Sequence, residues 1–179
     1  GRKAAKVNKK LYGKDYYAYK IFENYLPKLK IPDEGYIVVM GTHRCVSFEL
    51  LCEMYGHKRC LGYDLYNPTN HKRVIVKDCN KLDDLDNIPI AFCHNDIGNF
   101  PKTPDLKLHV QHWVAKNTVL GGVILGRNNF NSRKIDMEKL MEDYGFININ
   151  FKDLFSEIDL SILSSDEISS HMFSQRVEK

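Results

Sequence analysis

The stretch Gly35-Tyr-Ile-Val-Val-Met-Gly-Thr-His-Arg-Cys-Val-Ser47 decides the fold, because it predicts a buried strand followed by a loop and a helix. Residues 36–40 form a continuous apolar run without alternation, which is typical of a parallel strand covered on both faces. Gly41 ends the strand, and residues 46–55 place apolar side chains at helical spacing. Ligands of doubly wound sheets bind beyond the carboxyl ends of the strands, so residues 41–47 are the first candidates for a binding loop.

The rest of the chain continues this alternation of strands and helices. We predict further strands at residues 60–65, 74–76, 89–93, 118–125 and 146–151, and helices at residues 16–26, 105–116 and 135–144. Weaker strand signals follow at residues 160–163 and 171–173. The order predicts an α/β fold, a Rossmann-like, doubly wound and mostly parallel sheet of about seven strands with helices on both faces.

The 179-residue chain has the length of one ordinary domain and a hydrophobic content of 43%, which is typical of a globular protein. Residues 1–15 are predicted to be a basic flexible arm, and residues 16–179 a single domain. The apolar runs all fall short of the roughly 18 residues that cross a bilayer, so no membrane partner is expected. The first residue is glycine. This suggests either a removed tag or a domain cut from a larger protein or complex.

The five cysteines form an odd set without a CxxC pair, which favours free thiols in a reducing compartment such as the cytoplasm. They are Cys45, Cys52, Cys60, Cys79 and Cys93. The spacings of these cysteines and of the seven histidines do not match known zinc motifs, so no metal site is expected.

Two acidic residues that follow predicted strands indicate a binding site for an adenosine. Asp64 follows the second strand, where a carboxylate accepts both hydroxyls of a ribose lying across the sheet. Asp78 follows the third strand, where it could accept a hydrogen bond from an adenine amine. The loop after Gly41 lacks the G-x-G-x-x-G pattern that lets a pyrophosphate approach the backbone, which disfavours NAD. A cofactor without phosphate, S-adenosylmethionine, fits the pattern better.

The chain resembles the class I S-adenosylmethionine-dependent methyltransferases. The resemblance is strongest to the FtsJ/RrmJ-like RNA ribose 2′-O-methyltransferases, which include enzymes that cap viral RNA. The resemblance extends over about residues 16–173. Its motifs are Ala18-Tyr-Lys20-Ile-Phe, Leu29-Lys-Ile-Pro-Asp-Glu-Gly35, Tyr63-Asp64-Leu65 with Pro68, His94-Asn-Asp96-Ile-Gly98 and Gly121-Gly-Val-Ile-Leu-Gly-Arg127.

The resemblance implies a catalytic tetrad of the Lys-Asp-Lys-Glu type, in which a lysine helps to deprotonate the 2′-hydroxyl. Lys20 matches the first position and Asp96 the second. Arg127 stands at the second lysine, where it keeps the charge but cannot give up its proton. The fourth position falls on His171, with Glu167 as an alternative.

The resemblance also implies the residues that bind S-adenosylmethionine. They are Gly41, Thr42, His43, Arg44, Ser47, Asp64, Leu65, Asp78, Cys79 and Asp96. The first loop departs from the family's D-x-G-x-x-x-G-G pattern, because Val39 replaces the acid and Cys45 and Val46 replace the two later glycines.

The expected function is therefore that of an RNA ribose 2′-O-methyltransferase whose partner is RNA, either uncapped or capped. If the protein is viral, the expected location is the host cytoplasm. Two alternatives stay open. The altered loop and the substitutions at positions 127 and 171 favour an inactive domain that serves as an RNA-binding or scaffold module. A small-molecule methyltransferase of the same fold is the third interpretation, because the fold alone does not determine the substrate.

Overall fold

The computed structural model describes residues 16–98, 100–127, 134–149 and 171–178. Four helices and seven strands lie in this part of the chain. The helices are α1 (Tyr16–Asn24), α2 (Val46–Tyr55), α3 (Leu106–Asn117) and α4 (Lys134–Asp143). The strands are β1 (Tyr36–Met40), β2 (Cys60–Asp64), β3 (Val74–Val76), β4 (Ile90–Asn95), β5 (Thr118–Arg127), β6 (Phe146–Ile149) and β7 (His171–Arg176).

The strands form one seven-stranded sheet in the order β3-β2-β1-β4-β5-β7-β6. The pairs from β3 to β5 are all parallel, and only β7 runs antiparallel to its two neighbours. The predicted Rossmann-like, mostly parallel sheet is confirmed.

Strand β1 explains how the sheet is buried on both faces. Ile37 and Val39 belong to one hydrophobic core, which α1 and α2 cover. Val38 and Met40 belong to a second core, to which α3 and α4 contribute. All four side chains are at most 1% exposed. A continuous apolar run therefore serves both cores, as expected for a central parallel strand.

Strand β4 extends further than the sequence pattern predicts. The predicted strand ends at residue 93, but His94 and Asn95 pair with β1 on one side and with β5 on the other. Their polar side chains hide the strand from a pattern based on apolar residues, yet both are 2% exposed. Strand β5 likewise continues to Arg127. The predicted strand at residues 160–163 and the predicted arm at residues 1–15 lie outside the described residues.

The five cysteines are free thiols, and all are buried. Within the ranges that the structure describes, no helix combines the length and the hydrophobicity that a membrane span requires.

Candidate cofactor cleft

The sheet order reverses direction between β1 and β4, and this switch point brings the ends of three strands together. The N–H of Gly41, just after β1, donates to the carbonyl of Tyr63 in β2 at 2.8 Å. The N–H of Asp96, just after β4, donates to the carbonyl of Met40 at 2.9 Å. Parallel sheets bind ligands in the crevice that opens at such a point.

A cavity of about 240 Å³ occupies this crevice. Seven of the ten residues that the resemblance implies for cofactor binding line it: Gly41, His43, Asp64, Leu65, Asp78, Cys79 and Asp96. The other three do not line it. Thr42 and Ser47 are buried beneath the loop, and Arg44 is exposed.

Asp64 holds the loop and retains capacity for a ligand. Its Oδ2 accepts the N–H of His43 at 3.0 Å, and its Oδ1 accepts the N–H of Tyr66 at 3.3 Å. A carboxylate offers about four acceptor positions, so each oxygen retains one after these two bonds. This is the donor–acceptor chemistry that two hydroxyls of a ribose require.

Asp78 and Cys79 both line the cavity. One oxygen of Asp78 accepts the N–H of Asn80 at 3.0 Å and caps a short 3-10 helix. Cys79 is buried beside it. Burial, followed by the negative charges of Asp64 and Asp78, raises the pKa of the Cys79 thiol to about 12. These two acids therefore face the same small volume.

His43 closes the other side of the cavity. Its Nε2 lies 3.1 Å from Oδ2 of Asp96, whose side chain is 6% exposed, whereas the His43 side chain is 42% exposed. The imidazole thus stands at the mouth of the cleft and contacts the carboxylate that follows β4.

The loop after β1 has an unusual backbone. Gly41, His43 and Cys45 all have positive φ, at 88°, 50° and 62°. Cys45 stands where the resembled family has a glycine, and it keeps the left-handed conformation that glycine adopts most easily. A Cβ at Gly41 would lie 3.4 Å from the backbone of Asp96, so a side chain there would also enter the crevice.

The structure describes only some of the side chains of the predicted tetrad. Lys20 is half-buried on α1 and does not line the cavity. Arg127 and His171 are paired residues of β5 and β7, so their backbones are neighbours next to the end of β4. The side chains of these two residues, and all of Glu167, lie outside the described part of the chain.

Helix α1 is anchored close to the same edge of the sheet. The Phe22 ring packs edge-on against Phe92 and His94 of β4, with centroid separations of 6.1 and 5.3 Å. His94 precedes Asp96 by two residues. Lys20 is therefore carried by a helix that rests on the strand leading to Asp96.

Lys107 is a residue that the sequence analysis missed. It lies in the first turn of α3 and is 6% exposed. Burial lowers the pKa of its amine, and the charge of Asp96 acts in the opposite direction. In the sequence it is one of several charges in a helical pattern, and only the packing of α3 on the sheet shows that it is buried within electrostatic reach of Asp96.

The segment that holds Asp96 is fixed by buried polar contacts. The Asn95 side chain donates to Oε1 of Gln111 on α3 at 2.7 Å, and its Oδ1 accepts the N–H of Ile97 at 3.3 Å. The cavity mouth, in contrast, carries large exposed apolar side chains that the sequence did not single out. Tyr66 is 74% exposed and Phe100 57% exposed.

No protein-family model and no curated protein matches the chain. Solved structures do. A candidate methyltransferase in complex with the Haloferax volcanii Trm112 methyltransferase activator has a TM-score of 0.57 and 14% identity, with 99% of this chain and 98% of that one covered. A candidate ribosomal RNA methyltransferase from Plasmodium falciparum has a TM-score of 0.56 and 14% identity, with 89% and 94% covered. This is the class I methyltransferase fold.

A third structure is similar over almost the whole chain. The 1,6-didemethyltoxoflavin-N1-methyltransferase of Burkholderia thailandensis, solved with S-adenosylhomocysteine, has a TM-score of 0.55 and 10% identity, with 98% of this chain and 85% of that one covered. The names of the second and third proteins give different substrates, ribosomal RNA and 1,6-didemethyltoxoflavin. At such low identities the similarity establishes the fold and leaves the reaction of this chain to its own residues.

Side chains that could bind a metal ion lie outside the cleft. In the part of the chain that the structure describes, one group of side chains has the geometry to hold a metal ion, namely Glu49, Cys52, His57 and His71. None of them lines the cleft.

Proposed function

We propose that this protein is an S-adenosylmethionine-dependent methyltransferase whose acceptor is a ribose 2′-hydroxyl of RNA. The observation that carries the proposal is the convergence of Gly41, Asp64, Asp78 and Asp96 on one cavity at the switch point of the sheet. Three of these residues are acids from different strand ends. Such a set recognises the hydroxyl and amine donors of an adenosine. Lys77, which also lines the cavity, is paired with Asp86 at 3.2 Å.

The cleft residues have separable tasks in this proposal. Asp64 accepts the ribose hydroxyls with the lone pairs that His43 and Tyr66 leave open. Asp78 accepts from the adenine amine, and the absence of a side chain at Gly41 leaves room for the ligand. When bound, S-adenosylmethionine supplies an electrophilic methyl group.

The acceptor side of the site belongs to Lys20 and Asp96. A lysine amine near the 2′-hydroxyl takes up its proton as the oxygen becomes nucleophilic, and general-base help of this kind contributes roughly 10²–10⁴-fold. Asp96 keeps a cationic partner in place. The buried amine of Lys107 lies within electrostatic reach of this carboxylate, whose charge partly offsets the lowering of the amine pKa by burial.

RNA as the acceptor is supported by features outside the cavity. Residues 1–14 contain six basic residues, which suit a phosphate backbone. Tyr66 and Phe100 present exposed rings at the cavity mouth. Stacking of a base on an aromatic side chain is worth about 1–3 kcal/mol, so these rings could hold an unpaired nucleotide next to the cleft.

A second candidate function, an RNA-binding module without catalysis, is favoured by one specific observation. The His43 imidazole contacts Asp96 at the mouth of the cleft, and a small residue there would leave more room. If this contact blocks the cofactor, His43→Gly should restore binding that the unaltered protein lacks.

Titration calorimetry with S-adenosylmethionine and S-adenosylhomocysteine tests the cofactor site. We expect Asp64→Asn to weaken binding about 10- to 100-fold, because it removes charge-assisted hydrogen bonds worth about 1.5–3 kcal/mol. Asp143→Asn, an isosteric change on exposed α4, is the control and should bind normally. No binding near millimolar by either the unaltered protein or His43→Gly would exclude the enzyme and leave the RNA-binding module.

Methyl transfer to RNA tests the acceptor. We expect Lys20→Ala to abolish transfer while cofactor affinity stays unchanged, and Lys28→Ala, an exposed lysine beyond α1, to transfer normally. An RNA with 2′-deoxyribose at the acceptor nucleotide should not be methylated. Continued methylation of that RNA would show that another atom is the acceptor, and activity on small molecules alone would favour the third interpretation.

A further inference from the structure

Four potential metal ligands meet beside the C-terminal half of α2, although they come from three separate segments. Glu49 and Cys52 are three residues apart on α2 and therefore share one face of the helix. His57 lies in the 3-10 turn directly after α2, and His71 in the turn before β3. One ligand atom from each of the four lies within 4.8 Å of all the others.

The two histidines are oriented toward one point. Nε2 of His57 lies 2.8 Å from Oε1 of Glu49, and Nε2 of His71 lies 2.5 Å from Oε2 of the same carboxylate. The two imidazole rings are nearly parallel, at 11°, with centroids 6.1 Å apart. The Phe48 ring supports His71 at a centroid distance of 4.9 Å. Two nitrogens, a carboxylate and a thiol thus face a common centre.

We propose that Glu49, Cys52, His57 and His71 form a four-coordinate zinc site. Thiolate, imidazole and carboxylate are the ligands that Zn²⁺ takes in proteins, usually four in a tetrahedron, whereas Mg²⁺ and Ca²⁺ prefer oxygen. Zinc bonds of ~2.0–2.3 Å place ligand atoms roughly 3.3–3.8 Å apart. Closing the present cluster around an ion therefore requires side-chain movements on the scale of an ångström.

Metal coordination would change the protonation of the Cys52 thiol and of the His71 imidazole. Hydrogen bonding with Cys60, followed by burial, raises the pKa of the Cys52 thiol, so the ion must displace this proton into solvent to bind the thiolate. The N–H of Arg73 donates to Nδ1 of His71 at 3.1 Å, which leaves the ring proton on Nε2. Coordination through Nε2 moves this proton to Nδ1 and breaks the bond to Arg73.

The site would connect elements that are distant in the sequence. A bound ion would link α2 and the turn that follows it to the turn before the edge strand β3. Helix α2 begins directly after the loop at residues 41–45. The role of the site is structural, because these four ligands complete a tetrahedron and leave no open position for a substrate. The proposal does not depend on the methyltransferase proposal, since none of the four residues lines the cleft.

Metal titration of the whole chain, first stripped with a chelator, tests the proposal. We expect one equivalent of Zn²⁺ to bind, and Co²⁺ at the same site to show thiolate-to-cobalt charge-transfer absorption that Cys52→Ala removes. Glu49→Gln and His57→Ala should weaken Zn²⁺ binding on the order of 100-fold. Both side chains are at least 41% exposed, so these variants should fold, which circular dichroism checks.

Matched controls use the same residue types outside the cluster. Glu53→Gln on α2 and His112→Ala on α3 should leave Zn²⁺ affinity unchanged. In the unaltered protein, Zn²⁺ should raise the melting temperature and shift the amide resonance of Arg73, and neither effect should occur in His57→Ala. The proposal is wrong if micromolar Zn²⁺ does not bind, if the control and cluster variants lose affinity equally, or if the Co²⁺ complex lacks the thiolate absorption.

Discussion

Cys45 adopts a backbone conformation that glycine takes more easily, in the loop between β1 and α2. Its φ of 62° lies in the left-handed region, which costs a non-glycine residue roughly 1–2 kcal/mol. Its side chain is 4% exposed and belongs to the core under α2. Packing of the thiol therefore offsets the backbone strain, and the loop stays in place.

This strain predicts an unusual order of stability for two variants. Cys45→Gly and Cys45→Ala both remove the thiol, but only glycine relieves the backbone, so we expect Cys45→Gly to be more stable by about 1 kcal/mol. Urea unfolding in the presence of a metal chelator measures the difference in the free energy of unfolding between the two variants. At Cys52, inside α2, the same pair should show the reverse order, because glycine costs about 1 kcal/mol in a helix. If alanine is the more stable residue at both positions, strain at Cys45 does not contribute.

The buried thiol of Cys79 predicts a pH dependence of stability. Burial together with Asp64 and Asp78 raises its pKa from 9.0 to about 12. The folded state therefore holds this proton between pH 9 and 12 while the unfolded state loses it. A group with a raised pKa stabilises the fold fully below the pKa of the unfolded chain, and this contribution is lost as the pH rises.

We expect the destabilisation caused by Cys79→Ala to shrink by about 1 kcal/mol between pH 7 and pH 10, since the unaltered protein loses up to about 1.4 kcal/mol per pH unit from this group. Urea unfolding of both proteins at the two pH values gives the comparison, and other titrating groups cancel in the difference. A constant difference would mean that Cys79 is not shielded in the folded state.

At the scale of elements, Phe22 joins α1 to the sheet through two aromatic contacts. Phe22 is fully buried and meets Phe92 and His94 of β4. The helix has nine residues, too few to be stable alone in water. Its position over β4, and with it the position of Lys20, therefore depends on tertiary packing.

Phe22→Ala should lower the free energy of unfolding by about 3–5 kcal/mol, as expected for a large aromatic side chain removed from a packed core. Chemical denaturation measures this value. Leu85→Ala is the control, because Leu85 is 96% exposed and surface substitutions usually change stability by less than about 0.5 kcal/mol. Equal effects of the two changes would contradict the anchoring role of Phe22.

At the scale of the whole molecule, the proposed RNA interaction combines the cleft with charge outside it. The net charge of +3 is small, but six basic residues are concentrated in residues 1–14. Phosphate contacts make binding depend on salt, with a slope of about −0.7 in log K against log salt for each contact on a single strand.

Deleting residues 1–15 should weaken RNA binding and reduce the magnitude of this salt slope by up to about 4, if every basic residue of the arm contacts a phosphate. Fluorescence anisotropy with a labelled single-stranded RNA, measured at several salt concentrations, gives the slope. The affinity for S-adenosylhomocysteine should stay the same, which shows that the shortened protein folds. An unchanged slope would exclude the arm from RNA binding.

Much of the sheet and the outline of the cleft follow from local sequence. The unbroken apolar run in β1 requires burial on both faces, and Gly41, Asp64, Asp78 and Asp96 each stand just after or at the end of a strand. Because the carboxyl ends of parallel strands meet at one edge, their proximity could be predicted without knowing any contact. The position at which β4 ends could not be predicted, because His94 and Asn95 are polar and are buried by strand pairing on both sides.

Other features were decided only by the tertiary structure. The contact between His43 and Asp96 joins residues that are far apart in the sequence, as does the cluster around Glu49. The burial of Lys107 has no local signal in the sequence. The spacing of cysteines and histidines argued against a metal site, yet packing of the turn before β3 against α2 brings four potential ligands together. Sequence periodicity reports which face of an element is buried, whereas the side chains that meet across elements depend on packing between them. For this protein, the sequence determined the sheet and the edge at which the cavity lies, and packing determined which charges and potential ligands meet around it.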